Sequence, residues 1–490
     1  MHRIFLLFFF GSFFWHYGQA QDHTCVILSD QTVSCWGENL SGQLGIGNNT
    51  NQHSPVSIPG LTNIAEISLG LAHTCAINNT GSVWCWGFND FGQLGINNTF
   101  DQNSPVLVEA LSNIVEISLG EYHTCARNTT GAIFCWGHNQ QGELGIGTTS
   151  ESENLPQFVN FPSSYSTNFT QITVGGFHTC AINEDKNCFC WGWNEMGQVG
   201  LASENFTQTE IIPDKQTTPV LLQGEQHPYN EVSLGYKHSC IIDEDDDLFC
   251  WGQNNNYELG KFYDKYDTQL NDPKVYDLLY IINNIETISL GKQHTCAIKN
   301  TGQVFCWGLN YYKDTLPLQT SNNQRTNYSP ISIQELSNIT DISLGDSHTC
   351  ATNFTGSVFC WGKNDRGQLG IGFFSESENV PKFVRSLTLP TTFSTTFTST
   401  ISTTFTSTIS TTFTSTISTT STTVSTTGNE TFPVTAEDKG KTIIIIISSA
   451  GSVIFLISVF VTWKYCKPSK KVETVPFNLI PIKPAKRIIY

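Results

Sequence analysis

The sequence predicts an all-β protein, a seven-bladed β-propeller, from three features of one recurring unit. The unit is clearest at His73–Gly87, HTCAINNTGSVWCWG, where two alternating strands flank an Asn-Thr-Gly turn. It returns seven times, and each copy carries two cysteines ten residues apart, the second followed by Trp-Gly. The copies follow one another at intervals of 50 to 60 residues, with no helical stretch between them. About four short strands per repeat and no helix is typical of a propeller blade.

The two cysteines of each unit are predicted to form a disulfide. Their spacing is centred on the turn, which places Cys75 opposite Cys85, and directly opposed strand residues lie about 4.5–5.5 Å apart, within the span of a disulfide. Each closed loop would contribute roughly 2–3 kcal/mol of stability. Cys188 is left over and could compete for Cys180, stay free or pair between chains. The predicted pairs are Cys25–Cys35, Cys75–Cys85, Cys125–Cys135, Cys180–Cys190, Cys240–Cys250, Cys296–Cys306 and Cys350–Cys360.

Two further strands flank each hairpin. Before every hairpin but the first comes an apolar strand such as Ile64–Gly70, IAEISLG. After most Trp-Gly pairs come a Gly-rich turn and a strand often opened by proline, which is tolerated at a strand's first residue. The first repeat begins at Gln21 and lacks the apolar strand, and nothing after Arg385 supplies one. The sequence therefore leaves open whether the ring closes fully.

This pattern resembles the regulator of chromosome condensation repeat, from Asp22 to about Leu387. The resemblance is carried by the Trp-Gly pairs, by N-x-x-G-Q-L-G runs at Asn39, Asn89 and Asn364, and by a histidine two residues before each first cysteine. It implies a seven-bladed propeller, and the bacterial β-lactamase-inhibitor protein II has a similar repeat. WD-type blades fit worse, because they have a shorter period and end in Trp-Asp. The histidines recur as structural positions, so no metal site is expected at His23, His73, His123, His178, His238, His294 and His348.

The residues on the N-terminal side of the repeats (21–387) predict a protein of the secretory pathway. Residues 1–20 resemble a signal peptide, with Arg3 before the apolar run Ile4–Phe14 and small residues leading to cleavage after Ala20. An uncleaved anchor helix is the alternative, which the shortness of the apolar run disfavours. The density of paired cysteines agrees with export, because disulfides persist in oxidising compartments.

The residues on the C-terminal side predict a stalk, a membrane span and a short tail. Residues 388–441 are dominated by Ser and Thr and predict an O-glycosylated stalk. Residues 442–463 carry no charge and are long enough to cross a bilayer as a helix. More lysines follow this segment than precede it, which favours a cytosolic tail at 464–490. The prediction is a single-pass type I protein of the plasma membrane, with a possible adaptor site in the basic tail and Cys466 as a palmitoylation candidate or a free thiol.

N-glycosylation sequons are dense in the predicted outside region. Asn327 also begins a sequon, but Pro330 just beyond it weakens that site. Sequons in the hairpin turns would mark an exposed rim of the propeller. The predicted sites are Asn39, Asn48, Asn78, Asn97, Asn128, Asn168, Asn205, Asn338, Asn353 and Asn429.

Inserts lengthen the later repeats, and loops on a propeller's faces commonly carry binding specificity. Two inserts hold the aromatic residues predicted to bind a ligand, with solvated variable loops as the alternative: Tyr263, Tyr266, Tyr311 and Tyr312. The acidic run Asp243–Asp247 lacks the EF-hand spacing and its glycine, so a solvated turn is favoured over a calcium site.

Composition and motifs argue against several function classes. The formal net charge is −17, and an acidic surface disfavours nucleic acid because like charges repel. The sequence has no G-x-S-x-G, Walker loop or H-E-x-x-H motif, so neither an enzyme nor a cofactor is predicted. The leading hypothesis is an adhesion protein or receptor whose extracellular propeller binds a protein or glycan ligand.

Three other hypotheses stay open. A surface hydrolase, or an inhibitor of hydrolases, could be built on the inserts. A heavily glycosylated coat protein would need no specific ligand. Exchange activity on a small GTPase, which the resemblance to nuclear proteins suggests, is disfavoured because the predicted topology places the propeller away from the cytosol.

Overall fold

The computed structural model describes residues 17–19, 22–200, 213–222, 228–261, 274–309 and 326–384, together with four short strand segments beyond residue 423. The chain divides into two compact units, Met1–Leu389 and Pro390–Tyr490. Throughout the described residues the backbone forms strands, turns and bends, and no helix there is long and apolar enough to cross a membrane.

Unit 1 is a ring of seven four-stranded antiparallel sheets, which confirms the predicted seven-bladed propeller. In every blade the strands pair in chain order, and the first strands of blades 2–7 line a central channel. Blade 1 contains β1 (Tyr17–Gln19), β2 (His23–Ile27), β3 (Val33–Gly37) and β4 (Gln52–Ser57). Blade 2 contains β5 (Ile64–Leu69), β6 (His73–Asn78), β7 (Val83–Gly87) and β8 (Gln102–Leu107). Blade 3 contains β9 (Ile114–Leu119), β10 (His123–Asn128), β11 (Ile133–His138) and β12 (Ser152–Phe158).

The remaining four blades repeat this order. Blade 4 contains β13 (Phe169–Val174), β14 (His178–Asn183), β15 (Cys188–Trp193) and β16 (Lys215–Leu221). Blade 5 contains β17 (Tyr229–Leu234), β18 (His238–Asp243), β19 (Leu248–Gln253) and β20 (Lys274–Ile282). Blade 6 contains β21 (Ile285–Leu290), β22 (His294–Lys299), β23 (Val304–Leu309) and β24 (Thr326–Ser332). Blade 7 contains β25 (Ile339–Leu344), β26 (His348–Asn353), β27 (Val358–Lys363) and β28 (Ser377–Phe383).

The hydrophobic core lies between adjacent blades. In the first of seven clusters, Ile27 and the disulfide of blade 1 pack against the first strand of blade 2, Ile64–Leu69. The tryptophan of each Trp-Gly pair is fully buried in such a cluster. The indole N–H of Trp86 donates to the backbone carbonyl of Gln43 in the preceding blade at 2.9 Å. A single repeat cannot bury its apolar face alone, and stacking the blades buries it.

In five of the seven blades the hairpin turn is closed by the last side chain of the second strand. Asn78 Oδ1 accepts hydrogen bonds from the N–H groups two and four residues on, at 3.1 and 2.9 Å. Gly81 in the same turn has a φ of +76°, which favours glycine. Asp243 caps the turn of blade 5 in the same way, at 3.0 and 2.9 Å. The acidic run Asp243–Asp247 therefore builds a turn.

The ring closes between blades 7 and 1, and an unexpected segment supplies the first strand of blade 1. Tyr17–Gln19 pairs antiparallel with β2. These three residues fall within the predicted signal peptide, so cleavage after Ala20 would remove the strand. The repeats that begin at Gln21 do lack a first strand of their own, as their sequence indicates.

Unit 2 contains two short antiparallel ladders. In one, β29 (Val424–Ser425) pairs with β30 (Thr431–Phe432), and in the other β31 (Ile443–Ser449) pairs with β32 (Val453–Val459). The second ladder falls within 442–463, the segment for which a membrane-spanning helix is predicted. Apart from these strands, the predicted stalk and tail, including Asn429 and Cys466, lie outside the described residues. The stalk, the membrane helix and the palmitoylation stay predictions.

Candidate functional site

A closed ring of hydrogen bonds joins the seven blades through the repeated histidine motif. The Nε2 atom of each motif histidine lies 2.9–3.2 Å from the hydroxyl oxygen of a Thr or Ser in the next blade. The bond from His348 to Thr24 connects blade 7 to blade 1. The other pairs are His23–Thr74, His73–Thr124, His123–Thr179, His178–Ser239, His238–Thr295 and His294–Thr349.

The hydroxyl groups fix which histidine nitrogen carries the proton. Thr74 Oγ1 donates its hydrogen to the carbonyl of Gln43 at 2.8 Å, so it accepts from the Nε2–H of His23. Burial lowers the pKa of six motif histidines from 6.5 to about 3, and that of His123 well below its ordinary value. These neutral, fully buried histidines tie one blade to the next, so their role is structural.

The seven predicted disulfides are present, and each joins directly opposed strand residues with Cα atoms 4.1 Å apart. Cys188 is the free cysteine of the described region; it is buried, with its Sγ 3.9 Å from that of Cys190. Burial raises the pKa of the Cys188 thiol, so the thiol stays protonated and unreactive. Cys180, Cys188 and Cys190 lie close enough to share a metal, but two of these sulfurs are already bonded to each other.

The predicted glycosylation sites differ in exposure. Asn39 is fully buried, its Nδ2 donates to the carbonyl of Asn48 at 2.8 Å, and its Oδ1 accepts from the N–H of Leu44 at 2.9 Å. An amide engaged on both sides leaves no room for a glycan, so Asn39 is a structural residue of the Gly-Gln-Leu-Gly loop. The exposed sites are Asn48, Asn97, Asn168 and Asn338, and the half-buried ones, all in hairpin turns, are Asn78, Asn128 and Asn353.

The predicted ligand-binding tyrosines cannot be placed on either face of the ring. Tyr263, Tyr266, Tyr311 and Tyr312 lie outside the described residues, as does the sequon at Asn205. Their roles in ligand binding and glycosylation stay predictions.

One face of the ring brings together a continuous set of aromatic side chains across blades 2 to 5. Neighbouring rings have centroids 5.0–6.3 Å apart, in tilted or edge-to-face arrangements. All except His138 are half-buried and keep part of the ring exposed. We call this surface the aromatic arc, and its members are Phe88, Phe91, Tyr122, His138, Phe177, Trp193 and Tyr236.

Two lysines border the aromatic arc. Lys237 Nζ lies 4.3 Å from the centre of the Trp193 ring, and Lys292 Nζ lies 4.8 Å from the centre of the Tyr236 ring. At these distances the positive charge is attracted to the face of the aromatic ring. The arc therefore combines apolar area with localised positive charge.

A charged cluster lies beside the arc at the mouth of the channel. Lys292 Nζ pairs with Asp346 at 3.1 Å and with Glu121 at 3.6 Å. Burial raises the pKa of Glu121 to about 7, although Lys292 lowers it. Burial lowers the pKa of Lys292, but Asp346 and Glu121 outweigh that effect and the pKa is raised, so the lysine stays charged. The channel mouth encloses about 350 Å³ and is lined largely by serines and glycines from the ends of the first strands.

Sequence reasoning missed the arc because its residues occupy positions that differ between repeats. Tyr122, Phe177 and Tyr236 stand one or two residues before a motif histidine. Phe88, His138 and Trp193 each follow a Trp-Gly pair directly. Each of these positions is aromatic in some repeats and not in others, so the repeat pattern alone does not indicate a continuous surface.

Family models match most of unit 1. A model described as the RCC1-like domain matches residues 19–216. Models described as the regulator of chromosome condensation (RCC1) repeat match residues 230–258, 285–313 and 339–368, and residues 301–352 and 355–392.

Curated relatives match a little over 200 residues. The chain is 30% identical over 222 residues to the ultraviolet-B receptor UVR8 of Arabidopsis thaliana, covering 44% of this chain and 46% of that protein. It is 31% identical over 226 residues to the probable E3 ubiquitin-protein ligase HERC4 of Homo sapiens, covering 45% of this chain and 20% of that protein. The matches thus span less than half of either relative.

Solved structures share the architecture. Human WBSCR16 has a TM-score of 0.62 and 20% identity, covering 73% of this chain and 95% of that one. Yeast RCC1 (Prp20), solved bound to Kap60, has a TM-score of 0.63 and 21% identity, covering 76% of this chain and 85% of that one. At these identities the likeness shows the fold alone. With the family-model matches and the seven blades, it establishes that this chain belongs to the regulator of chromosome condensation (RCC1) repeat family.

Proposed function

We propose that this protein is a type I membrane glycoprotein whose extracellular propeller binds a protein ligand through the aromatic arc. The observation that carries the proposal is the arc itself, with six half-buried aromatic rings and two lysines on one face of the ring. Aromatic side chains dominate the binding energy of many protein interfaces. The disulfides and the histidine ring hold the scaffold beneath the arc, which limits the ordering cost of binding.

The geometry of the arc favours a protein ligand over a glycan. A sugar ring stacks on an open aromatic face, but lysine ammonium groups lie over Trp193 and Tyr236. Most other rings pack tilted or edge to face, so they present edges and gaps. Side chains of a protein can fill such gaps.

Relatives with the same propeller support this function class. A yeast propeller of the family has been solved bound to Kap60, and the binding of the same yeast protein to Gsp1p and histones has been described. UVR8 of Arabidopsis thaliana is described as a receptor. We extend to this chain only the ability of the propeller to bind a protein.

The cellular location in this proposal rests on the sequence. The leader, the Ser/Thr-rich stalk and the uncharged segment 442–463 together describe a protein that enters the secretory pathway and stays in the membrane. Fourteen cysteines paired as disulfides fit an oxidising compartment, because cytosolic thiols are kept reduced. Exposed sequons such as Asn48 and Asn168 fit the same compartment.

We propose binding and not catalysis. Burial raises the pKa of Glu121 to about 7, a value suited to a general base, but Glu121 pairs with Lys292 in the charged cluster. The motif histidines are buried and engaged between blades. Hydrolase and inhibitor functions therefore have no observation that favours them over binding.

The test uses cells that express the full chain. An antibody to the propeller should stain intact cells, and a glycosidase should increase the electrophoretic mobility of the protein. The same cells, probed with a panel of extracellular proteins, should show at least one saturable ligand. Trp193→Ala should weaken that binding at least tenfold, whereas Phe100→Ala, which removes a ring 74% exposed outside the arc, should leave it unchanged. Absence of any saturable ligand, or equal loss in both variants, would contradict the proposal.

A further inference from the structure

Blade 1 differs from the other six blades at its innermost strand. In blades 2–7 this strand ends on Ile/Val, Ser/Thr, Leu/Val and Gly in that order, as in Ile67–Gly70. In blade 1 the place beside His23–Ile27, here called the strand slot, is taken by Tyr17–Gln19 of the predicted leader. The register sets these three residues where Ile67, Ser68 and Leu69 stand in blade 2.

The leader residues match the strand slot poorly at two positions of this register. Gln19 stands where the other six blades bury a Leu or Val that is at most 7% exposed. Gly18 stands where they carry Ser or Thr, and Ser68 Oγ accepts the backbone N–H of Leu119 in the next blade at 3.2 Å. Gly18 has no side chain that could make this bond to blade 2.

The next residue of the leader also differs in type from its equivalents in the other blades. Ala20 follows the strand, whereas all six other blades have glycine there. A Cβ atom built on Gly175 would lie 2.5 Å from Cε1 of His178 and 2.5 Å from the carbonyl oxygen of Gly235. Real Cβ atoms do not approach other atoms so closely, so the position excludes side chains in the blades where the motif histidine is in place.

The strand slot is built from buried apolar residues of blades 7 and 1. In each of the other six interblade clusters, three side chains from a first strand complete the packing. The seventh cluster is formed by blades 7 and 1, at the place where a first strand of blade 1 would pack. Its members are Val26, Trp36, Cys350, Val358, Cys360, Leu369 and Val384.

A buried polar atom faces the strand slot without a partner. Thr352 is 2% exposed, and its Oγ1 makes no hydrogen bond. Five of the other six blades have isoleucine at this register position. Ile27, one of these, packs against the first strand of the next blade, so the equivalent Thr352 faces the first strand of blade 1.

Backbone groups at the strand slot are also placed to hydrogen-bond with a strand. In six blades a hairpin-turn carbonyl accepts the N–H that opens the next blade's first strand, as Gly81 O does from Ile114 N at 3.0 Å. The equivalent carbonyl on blade 7 belongs to Gly356. With the leader gone, the inner edge of His23–Ile27 would present unpaired backbone groups, which a further strand can satisfy.

We propose that removal of the leader opens the strand slot, and that an extended segment of a partner protein completes blade 1 as its innermost strand. The segment would carry an apolar residue, two variable residues, and then Ile/Val, Ser/Thr, Leu/Val and Gly. In this chain that ending occurs only in the six first strands, which are already paired, so the donor is another protein. The inference rests on the secretory processing in the proposed function and not on the aromatic arc.

The experiment starts from the full chain, expressed with its own leader in eukaryotic cells and purified in detergent. Sequencing of the mature N-terminus should begin at Gln21. A fluorescent peptide with the sequence of Ile64–Gly70, IAEISLG, should then bind saturably with one site per chain. Two control peptides change one residue each, Leu69→Gln and Gly70→Ala, and both should bind at least tenfold more weakly.

Two variants of the chain sharpen the test. Replacing Phe14–Ala20 with IAEISLG behind an unrelated, upstream-cleaved leader should fill the slot, abolish peptide binding and raise the melting temperature. Thr352→Ile removes the unpaired hydroxyl and should tighten peptide binding several-fold, while Thr62→Ile on the exposed surface should not.

Three results would overturn the inference. A mature N-terminus upstream of Tyr17, on a glycosylated surface protein, would mean that the chain fills its own slot and would leave the proposed function standing. No saturable peptide binding by a chain starting at Gln21 would mean that the slot does not accept a strand. Equal binding of all three peptides would mean that binding does not use the first-strand register. A retained Met1 without glycosylation would instead refute the secretory processing itself.

Discussion

The closing interface joins blades 7 and 1, and it can be compared with the interface between blades 2 and 3. Both contain the same hydrogen bonds, but they differ in the first strand that packs there. At closure, His348 bonds to Thr24 and the Trp36 indole donates to Gln368 O at 2.9 Å. The interface between blades 2 and 3 has the same two bonds, from the same motif positions. Its first strand, Ile114–Leu119, adds three apolar side chains, whereas the first strand at closure is the three-residue segment Tyr17–Gln19.

The closing interface also contains an ion pair. At closure, Lys363 Nζ lies 3.1 Å from Asp22, which also accepts from Gln368 Nε2 at 2.7 Å. The histidine and tryptophan bonds, which both interfaces contain, set how one blade sits on the next. Burial of the first strand is a separate contribution, which the closing interface obtains only while a strand occupies the slot that Tyr17–Gln19 fills in this structure.

Lowering the pH should reduce the free energy of unfolding more than any of the substitutions below. It should open the closing interface first. A histidine whose pKa is about 3 when folded and 6.5 when unfolded binds more protons unfolded, so stability present above pH 6.5 is lost as the pH falls toward 3. Each such histidine loses on the order of 1 kcal/mol per pH unit in this window, so the seven together should lose on the order of 10 kcal/mol by pH 5.5. Urea midpoints at pH 7.5, 6.5 and 5.5 measure the loss.

Substitution of single histidines tests which residues cause the loss of stability in acid. His123→Gln keeps an N–H donor but cannot titrate, so it should lower by one the number of protons taken up when the protein unfolds in acid. Hydrogen exchange at pH 5.5 should show His23–Ile27 losing protection before His123–Asn128. Simultaneous loss in both strands would mean that the closing interface is no weaker than the others.

Removing a buried tryptophan should have the next largest effect. Trp136→Ala should cost about 3–5 kcal/mol, because it removes a fully buried indole enclosed by a complete cluster. Trp36→Ala removes an equally buried indole with the same N–H bond, but the first strand of its blade is Tyr17–Gln19, which a mature chain starting at Gln21 lacks. Its cost should therefore be smaller, as measured by urea unfolding at pH 7.5. Equal costs would indicate that a strand fills the slot in the purified protein.

Neutralising the carboxyl group of Asp22, in the closing interface, should change the free energy of unfolding least. Burial raises the pKa of Asp22 to about 6, although Lys363 lowers it. Because a raised carboxyl pKa means that the folded state holds the proton more tightly, the charged form is unfavourable to folding at pH 7 and this disadvantage is lost as the pH falls below 6. Asp22→Asn removes this disadvantage and should raise the free energy of unfolding slightly, by less than about 1 kcal/mol, at pH 7.5.

Lys363→Met is the variant to compare with Asp22→Asn. It leaves Asp22 buried without its cation and should be more destabilising than Asp22→Asn, since an unpaired buried charge is costly. Urea midpoints of both variants against the unmodified chain at pH 7.5 decide the order. The reverse order would mean that Asp22 is already protonated when folded.

Much of the fold could be predicted because its signals are local and periodic. The ten-residue cysteine spacing around Asn79-Thr80-Gly81 specifies a hairpin and its disulfide, and seven copies specify the number of blades. The aromatic arc could not be predicted, because neighbours such as Phe91 and Tyr122 stand at non-equivalent positions of different repeats. The tyrosines of the inserts, chosen for their residue type alone, stay untested.

The sequence by itself determined the all-β class, the seven blades and the pairing of fourteen cysteines, since each follows from contacts within one repeat. Only the tertiary structure decided that Asn39 is buried, that each motif histidine bonds to the following blade, and that the leader lies at the place of a missing strand. These facts depend on how one blade sits against another. Contacts between blades join residues about fifty positions apart, and no local pattern specifies which side chains meet there.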